Sequence, residues 1–139
     1  MGYKSPLPYT LSILSGSGSP ADSADYFFGF STTFGAGTTA LNRIYIPRTG
    51  LIRKCSVLTN AATTSGTGEN IIMVIRVNDT TDYAFATVGV AGQIRFFENL
   101  ALSIPVSAGD FVSIKMTTPA WVTNPDGFRI AGSMLIECE

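Results

Sequence analysis

Histidine is absent from the 139 residues of this sequence, and charged side chains make up only 14% of it, against about 25% in an average soluble domain. Histidine is the side chain used most often as a general base near neutral pH and as a metal ligand, so its absence removes most hydrolase mechanisms. Nine basic and ten acidic residues give a net charge of −1, which provides no positive field for a phosphate backbone. We therefore expect neither an enzyme nor a nucleic-acid-binding protein.

The acidic residues form no pattern that is typical of a catalytic or metal site. Asp79 and Asp82 stand together within the polar segment Asn78–Asp82, whose composition is typical of a turn. A calcium loop would need EF-hand spacing, and the glycine-rich pieces lack the Gly-x-x-x-x-Gly-Lys pattern that holds a phosphate. The sequence therefore predicts no catalytic residues, no metal and no cofactor.

Long apolar runs and a cysteine framework are also lacking. No run approaches the roughly 18 apolar residues of a membrane-spanning helix, and the N-terminal Met1–Pro8 has one lysine and two prolines where a signal peptide would have an apolar run. We expect no membrane insertion and a protein that stays in the cytosol until assembly or lysis. Cys55 and Cys138 are isolated, so buried reduced thiols are favoured over a bridge between them.

Residues 1–25 differ in composition from the rest of the chain. They contain three prolines and the run Ser15-Gly16-Ser17-Gly18-Ser19-Pro20, with little apolar periodicity. Such a composition is typical of a linker or an extended segment. The sequence therefore predicts an extended N-terminal arm over residues 1–25 and one folded domain over residues 26–139.

Short apolar runs alternate with turn residues throughout the predicted domain, and apolar residues at every second position predict strands. The predicted strands are Tyr26–Thr33, Asn42–Ile46, Leu51–Thr59, Ile71–Asn78, Tyr83–Val88, Gln93–Phe97, Leu100–Val106, Phe111–Thr117 and Phe128–Ile136. We expect hairpins at Pro47–Gly50 and Asn78–Asp82, and we expect the strands on either side of Ser107–Asp110 to pair or to lie next to each other. This pattern predicts an all-β fold, an antiparallel β-sandwich of eight or nine strands.

Some apolar residues exceed what the core of a two-layer sandwich can cover. The run Ile71-Ile72-Met73-Val74-Ile75 does not alternate, so Ile72 and Val74 face outward and need a cover. The aromatic run from Tyr26 to Phe30 likewise has side chains on both faces of its strand. We assign Phe28, Phe30, Ile72 and Val74 to an oligomer interface; the alternative is that the N-terminal arm covers this face.

Trp121 is the one tryptophan, and it lies between Pro119-Ala120 and Val122-Thr123 in a predicted loop. An exposed indole there can stack on a sugar ring or anchor an interface. The alternative is a tryptophan folded over the end of the sandwich. Thr63 and Thr64, in the predicted exposed loop Asn60–Asn70, are the other candidates for ligand or partner contact.

Four segments, in order, carry a resemblance to a known group of proteins. They are Tyr26-Phe27-Phe28-Gly29, the run from Tyr45 to Ile52, Val77-Asn78, and the run from Val106 to Lys115 with its Gly109-Asp110 turn. Residues 26–137 resemble the small jelly-roll modules of bacteriophage virion proteins and of bacterial collagen-like fibre tips. Both are similar in architecture to tumour-necrosis-factor and complement-type globular heads.

The resemblance implies a homotrimer without a cofactor, located on the virion surface as a capsid decoration (cement) protein that binds the major capsid protein or other virion proteins. In that role the arm, through Tyr3, Leu7, Tyr9 and Leu11, would contact the capsid. The alternative is a receptor- or carbohydrate-binding head of a phage or bacterial fibre, with a host-surface glycan as partner. The sequence lacks the Gly-X-Y repeat of a collagen-like stalk, which favours the decoration protein.

Overall fold

Most of the described residues lie in strands, along which buried and exposed side chains alternate. The computed structural model describes residues 8–29, 42–61, 69–90 and 94–138, without the side chains of residues 69 and 86–90. The strands in these ranges are β1 (Tyr9–Leu14), β2 (Asp25–Phe28), β3 (Ile44–Tyr45), β4 (Gly50–Asn60), β5 (Glu69–Val77), β6 (Thr81–Val90), β7 (Ile94–Asn99), β8 (Ile104–Val106), β9 (Phe111–Thr117) and β10 (Arg129–Cys138).

Two antiparallel sheets of five strands each form a sandwich. Sheet 1 has the order β1-β10-β4-β7, with β8 paired to β4. Sheet 2 has the order β2-β9-β5-β6, with β3 paired to β9. The predicted antiparallel β-sandwich is therefore confirmed, with ten strands where eight or nine were expected.

The inner faces of the two sheets form one core. On β9, Val112, Ile114 and Met116 are fully buried, as the alternation of this segment predicts. The largest fully buried side chains are Phe28, Phe97, Phe128, Ile13, Ile44, Ile46, Ile52, Ile71, Met73, Ile75, Ile114 and Met116. Each contributes about 1.5–3 kcal/mol relative to exposure to water, so this core dominates the stability of the fold.

The structure corrects the predicted boundary between arm and domain. Strand β1 pairs with β10 along its whole length, in a register that places Leu11 opposite Met134 and Ile13 opposite Gly132. Leu11 and Ile13 are buried in the core. Residues 9–14 therefore belong to the sandwich, because their short alternation is sufficient for an edge strand once a partner strand is available.

Two predicted connections are also corrected. Pro47–Gly50 is a passage between sheets, since β3 belongs to sheet 2 and β4 to sheet 1. The strand predicted over Leu100–Val106 is only the three-residue β8, which pairs with β4, while β9 lies in the opposite sheet. Alternation fixes which face of a strand is buried but does not distinguish a hairpin from a crossing between sheets.

The hairpin at Asn78–Asp82 is confirmed, because β5 and β6 pair antiparallel on either side of it. Asn78 and Asp79 take the left-handed backbone conformation, with φ of 53° and 56°. Asparagine and aspartate adopt this conformation more readily than other residues with a Cβ atom. The residue types of this segment therefore explain the tight turn.

Both cysteines are buried free thiols, as expected. Burial raises the pKa of the Cys55 thiol to about 12. The nucleophilic thiolate is thereby suppressed at neutral pH, so Cys55 acts as a small apolar core residue.

Candidate functional site

A row of apolar side chains crosses the outer face of sheet 1 from one edge strand to the other. The strand registers place Leu14 of β1 opposite Ala131 of β10, Ala131 opposite Leu58 of β4, and Leu58 opposite Phe96 of β7. Leu58 is 42% exposed and Phe96 55% exposed, and Leu14 and Ala131 are exposed too. We call these four residues the apolar row.

Strand periodicity explains why these side chains face outward. Val57 and Thr59 are buried in the core, so Leu58 between them points to the other face. Phe97 is fully buried, and its neighbour Phe96 must then point outward. Two consecutive phenylalanines in a strand are the signal that sequence reasoning missed here, since one of them always faces away from the core.

Hydroxyl groups border the apolar row on one side. Ser12, Ser133 and Ser56 follow one another across β1, β10 and β4 in the next outward positions. The Ser56 hydroxyl donates a hydrogen bond of 3.1 Å to Glu98 of β7, which ends this line of residues. This part of sheet 1 therefore presents an almost uncharged outer surface.

Two open grooves lie along the same face. One, of about 400 Å³, adjoins the apolar row and is lined by Leu14, Leu58 and Arg129 among others. The other, of about 830 Å³, lies beyond the serines and is lined by Leu100 and Leu135 and also by the charged Arg53, Lys54 and Glu137. An apolar centre with a few charges at its margin is the composition of a protein interface.

The outer face of sheet 2 has a different chemistry. Lys115 lies 3.0 Å from Asp82 and 3.7 Å from Asp25, and Arg76 lies 3.3 Å from Asp82. The guanidinium carbon of Arg76 also lies over the ring of Phe27, 5.4 Å from its centre. Charges of both signs on this face thus neutralise one another within the chain.

Of the predicted oligomer-interface residues, Phe28 is placed differently from the prediction, whereas Ile72 and Val74 point outward as expected. Phe28 is fully buried in the core, and Phe27 takes the outward position on β2. The error was one of strand register, since a shift of one residue exchanges the two faces. Val74 points outward between Lys115 and Ala84 but is buried within its own chain, whereas Ile72 is 43% exposed. Phe30 lies outside the described residues.

Trp121 is buried and does not present a ligand-binding surface. Its indole N–H donates a hydrogen bond to the Ala21 carbonyl, and its backbone N–H donates one to Asp22. With 6% exposure it packs against the core as the folded-over alternative predicts. Thr63 and Thr64 lie outside the described residues.

Of the predicted capsid-contacting residues, Leu11 is part of the core. Tyr9 is half-buried against that core, and burial is the main cause that raises its pKa. Neither residue projects from the domain as an arm residue would. Tyr3 and Leu7 lie outside the described residues.

Among the described residues, no cluster of three or more cysteine, aspartate or glutamate side chains is arranged to hold a metal ion. Asp79, considered above for calcium, accepts a hydrogen bond of 2.9 Å from Arg43. The same part of the chain contains no helix that is long and apolar enough to cross a membrane.

Comparison with known proteins finds similarity in structure alone. No family model matches the sequence, and none of the curated proteins matches it significantly. Among solved structures, the chain is similar to the TNF protein Eiger from S. frugiperda, with 10% identity, a TM-score of 0.50, and coverage of 97% of this chain and 94% of that chain. A protein of infectious bursal disease virus, Gx strain, matches with 14% identity and a TM-score of 0.46 over 94% of this chain and 32% of that chain.

The similarity to Eiger extends over nearly the full length of both chains, and at 10% identity it concerns the fold. Together with the two antiparallel five-stranded sheets, it shows that this chain folds as a β-sandwich of the jelly-roll type.

Proposed function

We propose that this chain is a non-enzymatic structural protein of a virion, which associates as a homotrimer and decorates the capsid surface. The observation that carries the proposal is the apolar row on the outer face of sheet 1. Exposed apolar side chains that cross a whole sheet are typical of an interface between proteins. The second copy of the chain is the occupant we propose for this face.

The size of the face supports a second copy as occupant. Strands β1, β10, β4 and β7 contain 33 residues, and at about 3.4 Å per residue and about 4.8 Å between strands they cover about 540 Å². This is about two thirds of the roughly 800 Å² per partner of a stable protein interface. Its apolar and hydroxyl side chains have a low cost of removal from water compared with charged ones. A jelly-roll module of this size therefore has one face suited to permanent association.

The fold supports the proposal at the level of architecture. The jelly-roll sandwich agrees with the resemblance of the sequence to small virion modules, which implies a trimer on the particle surface. The absence of histidine, together with the scattered acidic residues, favours a structural role over catalysis.

Two lysine substitutions at matched positions test the oligomer. Leu58 on sheet 1 and Ile72 on sheet 2 are 42% and 43% exposed and both lie in central strands. Light scattering of the full-length protein should give the mass of a trimer, which Leu58→Lys reduces to that of a monomer while Ile72→Lys leaves it unchanged. A wild-type monomer, or dissociation by Ile72→Lys alone, would contradict the proposed interface.

Location on the virion requires a separate measurement. Antibodies against the folded protein should label intact purified particles in immunogold electron microscopy. Quantitative mass spectrometry of the same particles should give a copy number that is a multiple of three. A protein found only in the soluble fraction of lysed host cells would overturn the virion assignment, whatever its oligomeric state.

A further inference from the structure

Tyr45 is the most exposed aromatic residue of the described chain, and it is held in a fixed position. It lies on β3 directly opposite Phe111 of β9, on the outer face of sheet 2. The two ring centres are 5.6 Å apart with an interplanar angle of 58°. Tyr45 nevertheless remains 58% exposed, so more than half of its surface is accessible to solvent beside a second aromatic ring.

Arg43 places polar groups at the edge of this aromatic pair. Its guanidinium carbon lies 4.3 Å from the centre of the Phe111 ring, and its Nη2 donates a hydrogen bond of 2.9 Å to Oδ2 of Asp79. Hydrogen bonds with Tyr45 and Asp79 raise the pKa of the guanidinium. Arg43 therefore joins the tyrosine ring, the phenylalanine ring and a carboxylate into one cluster.

The turn that contains Asp79 is held in place by hydrogen bonds of the Asn78 side chain. Asn78 donates a hydrogen bond of 3.0 Å from Nδ2 to Asp110, and its Oδ1 accepts one of 3.1 Å from the backbone N–H of Phe111. Asn78 and Asp79 both have positive φ, a conformation that is retained because these bonds hold the turn. Asp79 is thus positioned before any ligand arrives, which lowers the entropy cost of binding.

We propose that Tyr45, Arg43 and Asp79 form a binding site for a neutral pyranose sugar. The C–H groups of one face of a pyranose are weakly positive and apolar, so they pack on the negative face of the exposed Tyr45 ring. Neighbouring sugar hydroxyls both donate and accept hydrogen bonds, which matches the carboxylate acceptor of Asp79 beside the guanidinium donor of Arg43.

The charges of the cluster select a neutral sugar over an acidic one. Arg43 and Asp79 are opposite charges 2.9 Å apart, and Asp110 adds a second carboxylate next to the same turn. The site therefore has no excess positive charge to compensate a carboxylate or sulfate on the ligand. In the described chain, only Oδ2 of the Asp79 carboxylate has a partner, so its other oxygen is available to a hydroxyl.

This inference does not depend on the oligomeric state, because the cluster lies on sheet 2 and the apolar row on sheet 1. Its test is saturation-transfer difference NMR of the full-length protein with four probes: methyl β-D-glucopyranoside, methyl β-D-galactopyranoside, methyl α-D-mannopyranoside and 3′-sialyllactose. At least one methyl glycoside should receive saturation, and titration should give its dissociation constant.

Matched variants assign the signal to the site. Tyr45→Ala should weaken binding at least about tenfold, and Asp79→Asn should weaken it to a smaller extent. Phe96→Ala removes an aromatic ring of similar exposure on sheet 1 and should leave binding unchanged, while Tyr45→Phe should retain the stacking. Thermal unfolding of each variant confirms that it is folded.

Three results would overturn the proposal: no saturation of any methyl glycoside, a signal that survives Tyr45→Ala, or binding of sialyllactose alone. None of them bears on the mass of the oligomer, which Leu58→Lys tests separately. Sugar binding by a monomeric protein would in turn reject the trimer and leave the sugar site intact.

Discussion

The outer faces of the two sheets differ in the side chains that they expose to solvent. On sheet 2, Lys115 and Arg76 pair with acidic residues of the same chain, and Val74 is buried beneath its own neighbours. On sheet 1, the apolar row remains exposed, with Leu58 and Phe96 at its centre and edge. Ile72 and Tyr45 are also exposed on sheet 2, but the positions between them carry the ion pairs of Lys115 and Arg76. The two faces therefore differ in whether their exposed apolar side chains form a continuous row.

The two faces also differ in how their charged side chains are paired. Four ion pairs lie on sheet 2, namely those of Lys115 with Asp25 and Asp82, that of Arg76 with Asp82 and that of Arg43 with Asp79. Sheet 1 has serines across its middle and one ion pair near the start of β4, between Arg53 and Glu137. Among the described residues, Lys54 and Arg129 of this sheet have no ion pair. The apolar row and the serines beside it carry no charge, so this part of sheet 1 has a low cost of desolvation.

The largest effect is expected from two adjacent phenylalanines that lie on opposite faces of β7. Phe97→Ala should lower the free energy of unfolding by about 3–5 kcal/mol, because it leaves a cavity in the core. Phe96→Ala should change the stability of the protomer by less than about 0.5 kcal/mol, since its side chain is exposed. Urea denaturation of both variants measures the two values.

The same pair should behave in the reverse order in the oligomer. Phe96→Ala should promote dissociation on dilution, whereas Phe97→Ala should keep the wild-type mass under conditions where it is folded. Equal losses of protomer stability for the two substitutions would show that Phe96 is covered by its own chain. This result would contradict the exposure of the apolar row on sheet 1.

The features that the sequence predicted correctly depend on residues close together in the chain. The features that it missed depend on pairing between strands that are distant in sequence. The alternation in β9 and β10 fixed their buried faces correctly, because period two is a property of the strand alone. Strand β1 was missed, since Leu11 and Ile13 are only two apolar positions beside a Gly/Ser run. Its place in the sheet depends on β10, which is more than 100 residues away in the chain.

The candidate sites could not be predicted from the sequence, because their residues are brought together by the register between neighbouring strands. Leu14, Leu58 and Phe96 are distant in sequence and become one row only through their pairing with neighbouring strands. Tyr45 was identifiable as outward-facing, because Ile44 and Ile46 on either side are core residues. Its partner Phe111 and the turn residue Asp79 come from other strands, so no local pattern could have joined them.

An intermediate effect is expected from the ion pairs of sheet 2. Lys115→Met removes the ammonium group that faces both Asp25 and Asp82 and leaves two carboxylates near each other. It should lower the free energy of unfolding by about 1 kcal/mol, because both carboxylates lose an ion-pair partner but are themselves 45% and 35% exposed. Lys54→Met, at an exposed position on sheet 1, should change it by less than about 0.5 kcal/mol.

Ionic strength should affect the ion pairs of sheet 2 and the apolar row of sheet 1 differently. High ionic strength should reduce the difference between wild type and Lys115→Met, because the ions screen the partly exposed pairs. The mass of the proposed oligomer should be unaffected by the same salt, since the apolar row contains no charged side chain. Dissociation of the oligomer in high salt would indicate an electrostatic interface and would contradict the use of sheet 1.

The smallest effect concerns the turn before β9 on sheet 2. Hydrogen bonds from the Asn78 side chain and the Ser107 backbone N–H lower the pKa of the Asp110 carboxyl. A carboxyl whose pKa is lowered by folding stabilises the fold above its unfolded-state pKa of about 3.9, and this contribution is lost as the pH falls through the folded-state value. Asp110→Asn should therefore be less stable than wild type at pH 7, and the two should converge in acid.

Asn78→Gly removes the Nδ2 donor to Asp110 together with the Oδ1 acceptor of the Phe111 N–H. It does not strain the turn, because glycine accepts the positive φ of this position. It should shift the acid loss of stability to higher pH, since Asp110 then keeps only its backbone partner. Denaturation curves recorded between pH 2 and pH 7 provide the comparison, with the range set by the unfolded-state pKa of about 3.9. A constant difference between wild type and Asp110→Asn across this range would mean that the carboxylate charge contributes nothing at this turn.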